Sequence, residues 1–231
     1  MTAHSYSPLQ ENRRVLSELL HSVSQPLTTL RCSLELSLDE TAECQQQNVA
    51  AALEQTENVI EMIQLMREYL DADERGGEGP AIAVQPILRS VIDHLSPLAG
   101  EKQLRLQMSG SCAAALPIRE PWMRRALEYL ISAMIARQAS GEEITVLLDD
   151  NPSGTRVWIH GKPRVGPMNY SVGNSIKRDS MIQRVRLAIA TRVLEGAGGT
   201  LDFVDDGSGF LLHIPRPGTR AGDSPRESAG P

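Results

Sequence analysis

Apolar positions in the first third of the chain recur at alternating spacings of four and three. Leu16, Leu20, Val23, Leu27, Leu30 and Leu34 form one such run. This is the heptad rhythm of a helix that buries a single seam. No Gly interrupts residues 11–39, where Pro26 is the single Pro. After the polar break Asp39-Glu40-Thr41, a second Gly- and Pro-free stretch extends to Glu74. Its seam comprises Val49, Leu53, Thr56, Ile60, Ile63 and Leu70, with Met62 and Met66 beside it as core filler. Two helices of about 30 residues, each roughly 45 Å long, predict an antiparallel helical hairpin. A lone hairpin cannot bury its seam on both sides, so the pattern also predicts a homodimer built as a four-helix bundle.

The pattern changes at Arg75-Gly76-Gly77-Glu78-Gly79-Pro80, which reads as a linker over 75–81. Beyond it, helical and alternating stretches follow one another. Residues 86–98 and 120–138 read as helices with Pro in the first turn. Leu104, Leu106 and Met108 alternate as a strand. Residues 143–148 and 155–160 read as two strands joined by a turn at Asn151-Pro152-Ser153-Gly154. Residues 161–179 carry Gly and Pro without periodicity and read as a loop. A helix over 180–195 and strands over 200–204 and 210–214 complete the pattern. The expected organisation is a disordered 1–10, a hairpin over 11–74, the linker, an α/β domain over 82–215 and a disordered tail over 216–231. The fold class is α+β.

Composition sharpens this picture in three ways. The 231 residues are 41% hydrophobic and 23% charged, which excludes wholesale disorder. Aromatics are only 3%, as suits a long seam of Leu, Ile, Val and Met. A net charge of −6 gives no electrostatic reason to expect nucleic-acid binding. No apolar run approaches the ~20 residues that span a bilayer, and the N-terminus lacks a signal-peptide core, so no membrane association is expected. Cys32, Cys44 and Cys112 are odd in number and lack CxxC spacing. Reduced thiols in a cytoplasmic protein suit them better than disulfides or zinc.

The first helix carries His21-Ser22-Val23-Ser24-Gln25-Pro26-Leu27. This resembles the H-box of sensor histidine kinases, in which a phospho-accepting His precedes a Pro-Leu pair by five residues. The resemblance continues: Met123–Arg137 is similar to the family's N-box helix, and Thr155–Gly161 lies where the first glycine box would be. Residues 187–201 resemble the helix and strand after the second glycine box, and Gly207-Ser208-Gly209-Phe210 the closing strand turn. What the resemblance implies is a dimerisation and histidine-phosphotransfer hairpin followed by an ATP-binding domain of the Bergerat type. It also implies the roles of phospho-acceptor for His21 and, for its partner, a response-regulator receiver domain.

The sequence departs from that pattern at the nucleotide contacts. The two N-box Asn positions match Tyr129 and Ala133, neither of which offers an amide carbonyl to a metal. The strand ending Ile159-His160-Gly161 lacks the Asp that bonds the adenine amine. Arg184-Val185-Arg186 stands where the second glycine box should cradle phosphate, without the backbone freedom Gly supplies. The ATPase-like domain therefore reads as degenerate, with no bound cofactor in the family's site. Arg184 and Arg186 are read as surface charges, or as a remnant anion site. Small kinase-shaped histidine phosphotransferases are similar in keeping the hairpin and losing nucleotide binding.

His21 is expected at a solvent-facing position beside the seam. An imidazole of ordinary pKa, about 6.5, is mostly neutral at pH 7 and nucleophilic. It could exchange a phosphoryl group with a receiver aspartate using Mg²⁺ held by the receiver, with no nucleotide of its own. Pro26 removes one helical hydrogen bond and bends the helix just beyond it. Ser22 stands where the family usually carries an acid, which weakens kinase action more than passive transfer. Gln25, four residues on and on the same face, is either a residue that orients water or phosphate, or a solvated polar side chain. His4, His94, His160 and His213 have no such context. Gln45, Gln46 and Gln47 read as a solvated face, and Arg13 and Arg14 as solvated charge or receiver contacts. Three functions stand: His21-dependent phosphotransfer, a divergent but active ATP-dependent kinase, or a non-catalytic dimeric scaffold that sequesters a regulator. The chain is expected to hold the two catalytic-core domains without a sensory module, so that signals arrive through a partner.

Overall fold

The computed structural model describes residues 8–37, 42–75, 79–162, 174–204 and 208–216. At Pro8–Leu16, Glu18, Leu19, His21, Ser22 and a few other helical positions it describes the backbone alone. The chain divides into two compact units. One comprises Met1–Asp71 with Tyr170–Arg186, the other Ala72–Asn169 with Leu187–Pro231.

The first unit is built on two long helices, α1 (Pro8–Ser37) and α2 (Ala42–Arg75). Their heptad seams are not buried within the chain. On α2, Val49, Leu53, Ile60, Ile63 and Leu70 are 48–61% exposed, and Leu20, Leu27 and Leu34 of α1 are likewise exposed. The buried positions of α2 are instead Ala52, Asn58, Met62, Leu65, Tyr69 and Ala72. Thus α2 carries two stripes of heptad-like spacing, and the more strongly apolar one, Val49 to Leu70, faces outward. On α1, Val23 and Leu30 are half-buried and Pro26 is buried.

Pro26 has no N–H to donate, yet α1 runs through it. Side-chain hydroxyls add bonds around the interruption. Ser24 Oγ donates to the Leu20 carbonyl at 3.0 Å, Thr28 Oγ1 to Ser24 at 2.9 Å and Thr29 Oγ1 to Gln25 at 3.2 Å. Hydroxyls bonded to the carbonyl four residues back tend to bend a helix.

The second unit begins with β1 (Ala81–Ala83), α3 (Val84–Glu101), β2 (Arg105–Gly110), β3 (Ala115–Pro117) and α4 (Glu120–Arg137). Next come β4 (Glu143–Asn151), β5 (Gly154–His160), α5 (Asn174–Gly196), β6 (Thr200–Phe203) and β7 (Gly209–Pro215). A five-stranded sheet has the order β2-β4-β5-β7-β6, and β1 pairs with β3 apart from it. Only β2–β4 is parallel in the large sheet. Alternation puts Ile144, Val146, Leu148, Val157, Ile159, Phe210, Leu212 and Ile214 on one buried face. Met123, Leu127, Leu130 and Met134 of α4 are wholly buried, as are Leu88 and Val91 of α3. The two helices pack together, and α4 lies against β5. Leu147, Trp158 and Leu211 occupy one cross-strand row on the opposite, more open face.

The β4–β5 hairpin turns where Asn151-Pro152-Ser153-Gly154 predicts it. Asn151 Oδ1 accepts from the Ser153 N–H, the Ser153 hydroxyl and the Gly154 N–H. Gly154 has φ +149, and a Cβ there would lie 2.4 Å from the Ile214 carbonyl oxygen, so only glycine fits.

The α+β class and the order of the larger elements agree with the sequence pattern. Two three-residue strands, β1 and β3, have no alternation to betray them. Helix α5 starts at Asn174, inside the stretch 161–179 that reads as a loop. The absence of a clear apolar period in its first turns hides it. Helix α1 starts at Pro8, inside the stretch 1–10 expected to be disordered, because the helix runs on N-terminally of its apolar seam. The rest of that stretch, residues 217–231 of the expected tail 216–231, and residues 163–173 of the loop lie outside the described residues.

Candidate functional site

His21 lies within α1, two turns after Arg14 and five residues before Pro26. Its side chain, like those of Ser22, Arg13, Arg14 and Gln45, lies outside the described residues. The solvent-facing position expected for His21 therefore does too. The turns that follow it are described. Ser24, Gln25, Thr28 and Thr29 are all exposed. They give α1 an uncharged face of hydroxyl and amide groups beginning one turn beyond His21. The next turn adds the exposed pair Arg31–Glu35, with Nε to Oε1 at 2.7 Å. Gln46 and Gln47 are exposed, as a solvated face requires.

In the α/β unit, the α4 residues that match the N-box are closed off from solvent. Tyr129 is 7% exposed, and the Arg125 guanidinium sits 5.7 Å from its ring centroid. That is cation–π distance. Arg125 also lies 3.8 Å from the Glu128 carboxylate. Ala133, one turn on, is buried.

The C-terminal end of α4 meets the end of β5. The Gln138 N–H donates to the Met134 carbonyl at 3.1 Å, which closes the helix. The Gln138 side chain is buried against Gly161, and its Oε1 has no hydrogen-bond partner among the described residues. Gly161 donates its N–H to the Ser208 carbonyl at 2.9 Å. Strand β5 thus runs into a glycine that lies under a glutamine amide. His160 and His213 are half-buried in β5 and β7, and His94 is exposed on α3. None of the three adjoins His21 in sequence or in its unit.

At the position of the second glycine box, Arg184 is exposed, Val185 is buried and Arg186 is engaged. Arg186 Nη2 donates to Glu61 Oε1 of α2 at 2.7 Å. Reading Arg186 as a free surface charge misses this, because its partner lies 125 residues away in sequence. Gln138 was missed for the same reason: nothing near it in the chain signals what it packs against. Among the described residues, no group of three His, Cys, Asp or Glu could hold a metal ion. None of the described helices is long and apolar enough to cross a membrane.

Two long helices followed by a helix-backed mixed sheet make a fold similar to that of sensor histidine kinase catalytic cores. Solved structures of that class share it. The chain superposes on the Acinetobacter baumannii histidine kinase AdeS with a TM-score of 0.58 at 14% identity, over 84% of this chain and 97% of that one. It matches histidine kinase ThkA, solved in complex with the response regulator protein TrrA, with a TM-score of 0.62 at 14% identity. That match covers 90% of this chain and 65% of the other. Full-length ShkA in complex with AMPPNP gives 0.52 at 15% identity, over 87% of this chain and 44% of ShkA. No protein-family model and no curated protein matches the chain.

Proposed function

We propose that this chain is a cytoplasmic, homodimeric two-component signalling protein that passes a phosphoryl group through His21 without binding ATP. The group comes from, or goes to, the aspartate of a response-regulator receiver domain. In the inward direction, an imidazole nitrogen of His21 attacks the phosphorus of the aspartyl phosphate. A P–N bond forms, the P–O bond to the carboxylate breaks, and the aspartate leaves as its anion. Mg²⁺ on the receiver neutralises the charge that spreads over the phosphoryl oxygens. This chain supplies the nucleophile and its position. Gln25, exposed one turn beyond, is placed to orient water or phosphate.

The observation that carries this reading is the contrast between the two ends of the fold. The H-box helix is retained and presents an open polar face. The α4 positions that match the N-box hold Tyr129, packed under Arg125, and buried Ala133, and Gln138 lies against Gly161. These residues do not fit the family's nucleotide. None offers a carboxylate to the adenine amine, and neither Tyr129 nor Ala133 offers an amide oxygen to Mg²⁺. ThkA, which shares the fold, has been solved with a response regulator, which agrees with a receiver as partner.

The homodimer rests on the outward-facing seam. Five large apolar side chains at heptad spacing on α2 and three on α1 are exposed in the single chain. A second copy that supplies the same stripe would bury them as a four-helix bundle.

The deciding assay mixes the protein with receiver domains phosphorylated by acetyl phosphate and follows acid-labile label. Label is expected on the wild type and absent from His21→Ala. Equal labelling of His21→Ala sinks the reading. Autophosphorylation with calorimetric Mg·ATP binding would establish a divergent kinase instead. A stable complex with the receiver and no transfer in either assay would establish a scaffold.

A further inference from the structure

Helix α5 belongs to both compact units. As far as Arg186 it groups with the hairpin, and from Leu187 with the α/β unit. The change falls within a continuous helix, Asn174–Gly196, with no Gly or Pro between its ends. An ion pair lies at that point. Arg186 Nη2 donates to Glu61 Oε1 at 2.7 Å, with the two side chains 28% and 37% exposed. The neighbouring α5 residues Ile182 and Val185 are buried. On α2, Asn58 and Met62 flank Glu61 by one turn or less and are buried too.

We propose that the Glu61–Arg186 pair is a latch that fastens the first half of α5 to hairpin helix α2. The physical case has three parts. The distance is that of a charge-assisted bond, which is stronger than a neutral one. Both side chains are only partly exposed, so the pair is screened less than a fully exposed one. It also sits at the last residue of α5 that groups with the hairpin. The resemblance puts a glycine-rich, mobile phosphate cradle at this point of the chain. Here the same point is an arginine held by the hairpin. The latch closes when the pair forms and opens when either charge is removed or screened. It does not depend on His21 acting as a phospho-acceptor.

Hydrogen exchange read by mass spectrometry on the full-length protein tests it. Glu61→Gln and Arg186→Gln should each speed exchange in a peptide covering 174–186 by roughly 1.5-fold to fivefold, the range for a partly exposed ion pair. Peptides from α3, α4 and the sheet should not change. The reversed pair Glu61→Arg with Arg186→Glu should return the rate most of the way to wild type. Raising the salt from about 0.05 to 0.5 M should loosen the wild type and leave Arg186→Gln unaffected. Unchanged exchange over 174–186 in both single variants overturns the latch. So does faster exchange spread evenly over all peptides, or a reversed pair no better than the single variants.

Discussion

The amide of Gln138 lies so close to Gly161 that a Cβ on the glycine would come within 2.3 Å of Gln138 Nε2 and 2.5 Å of Cδ. The end of α4 and the end of β5 are therefore fitted to one another through a missing side chain. The glutamine is buried, so it has little freedom to retreat. Any side chain at Gly161, an acid included, must first displace it.

Gly161→Ala is accordingly expected to destabilise the protein by about 1–2 kcal/mol, the cost of overpacking a closed site. In a Gln138→Ala background the same substitution should be neutral or stabilising by up to about 1 kcal/mol, since alanine restricts the unfolded chain. Denaturant unfolding of the four proteins measures the cycle. Additive effects would show that the two residues do not compete for space.

The exposed α2 seam predicts a dimer that a charge can break. Wild type is expected to sediment as a dimer at micromolar concentration. Leu53→Glu and Ile60→Glu, both at exposed seam positions, are expected to sediment as monomers with helical content largely retained. A monomeric wild type at tens of micromolar would remove the four-helix bundle from the proposal.

Gln25 separates its two readings by kinetics. If it orients water for dephosphorylation of a bound receiver, Gln25→Ala should slow that step about tenfold. It should leave transfer between His21 and the receiver within about twofold. Equal rates for the variant and the wild type would make Gln25 a solvated polar residue, as its exposure also allows.

Cys112 gives a pH-dependent readout of the α/β unit. Desolvation by burial, with a smaller push from Asp150, raises its thiol pKa, while N–H groups of Ala114 and Gln85 pull the other way. The folded state thus holds the Cys112 proton more tightly than the unfolded chain does. The associated stability is present below the unfolded thiol pKa and is lost as pH rises through the folded value. Iodoacetamide at pH 8 should modify exposed Cys32 well before Cys112. Denaturation should equalise the rates, and equal rates in the native protein would contradict the burial.

The first helix shows how far sequence reaches. Heptad spacing marks α1 and α2 because it is a local, one-dimensional property, and the His21–Pro26–Leu27 context marks the H-box for the same reason. The sheet of α/β strands is legible wherever alternation runs five residues or more, as in β4 and β5. Strands of three residues are not legible, since β1 and β3 are fixed only by pairing with each other. The first turns of α5 are hidden as well, because residues 174–181 have no clear apolar period along the chain.

By itself, then, the sequence determined the two long helices, the α+β order, the His21–Pro26–Leu27 spacing and the residue types at Tyr129, Ala133 and the end of β5. Each is a property of residue type and spacing along the chain. Only the tertiary structure decided which stripe of α2 is buried, that Gln138 closes over Gly161 and that Arg186 meets Glu61. Those outcomes depend on which surfaces meet after the chain has folded back on itself. Residue spacing fixes the direction of a side chain from its own helix, but not what stands opposite it.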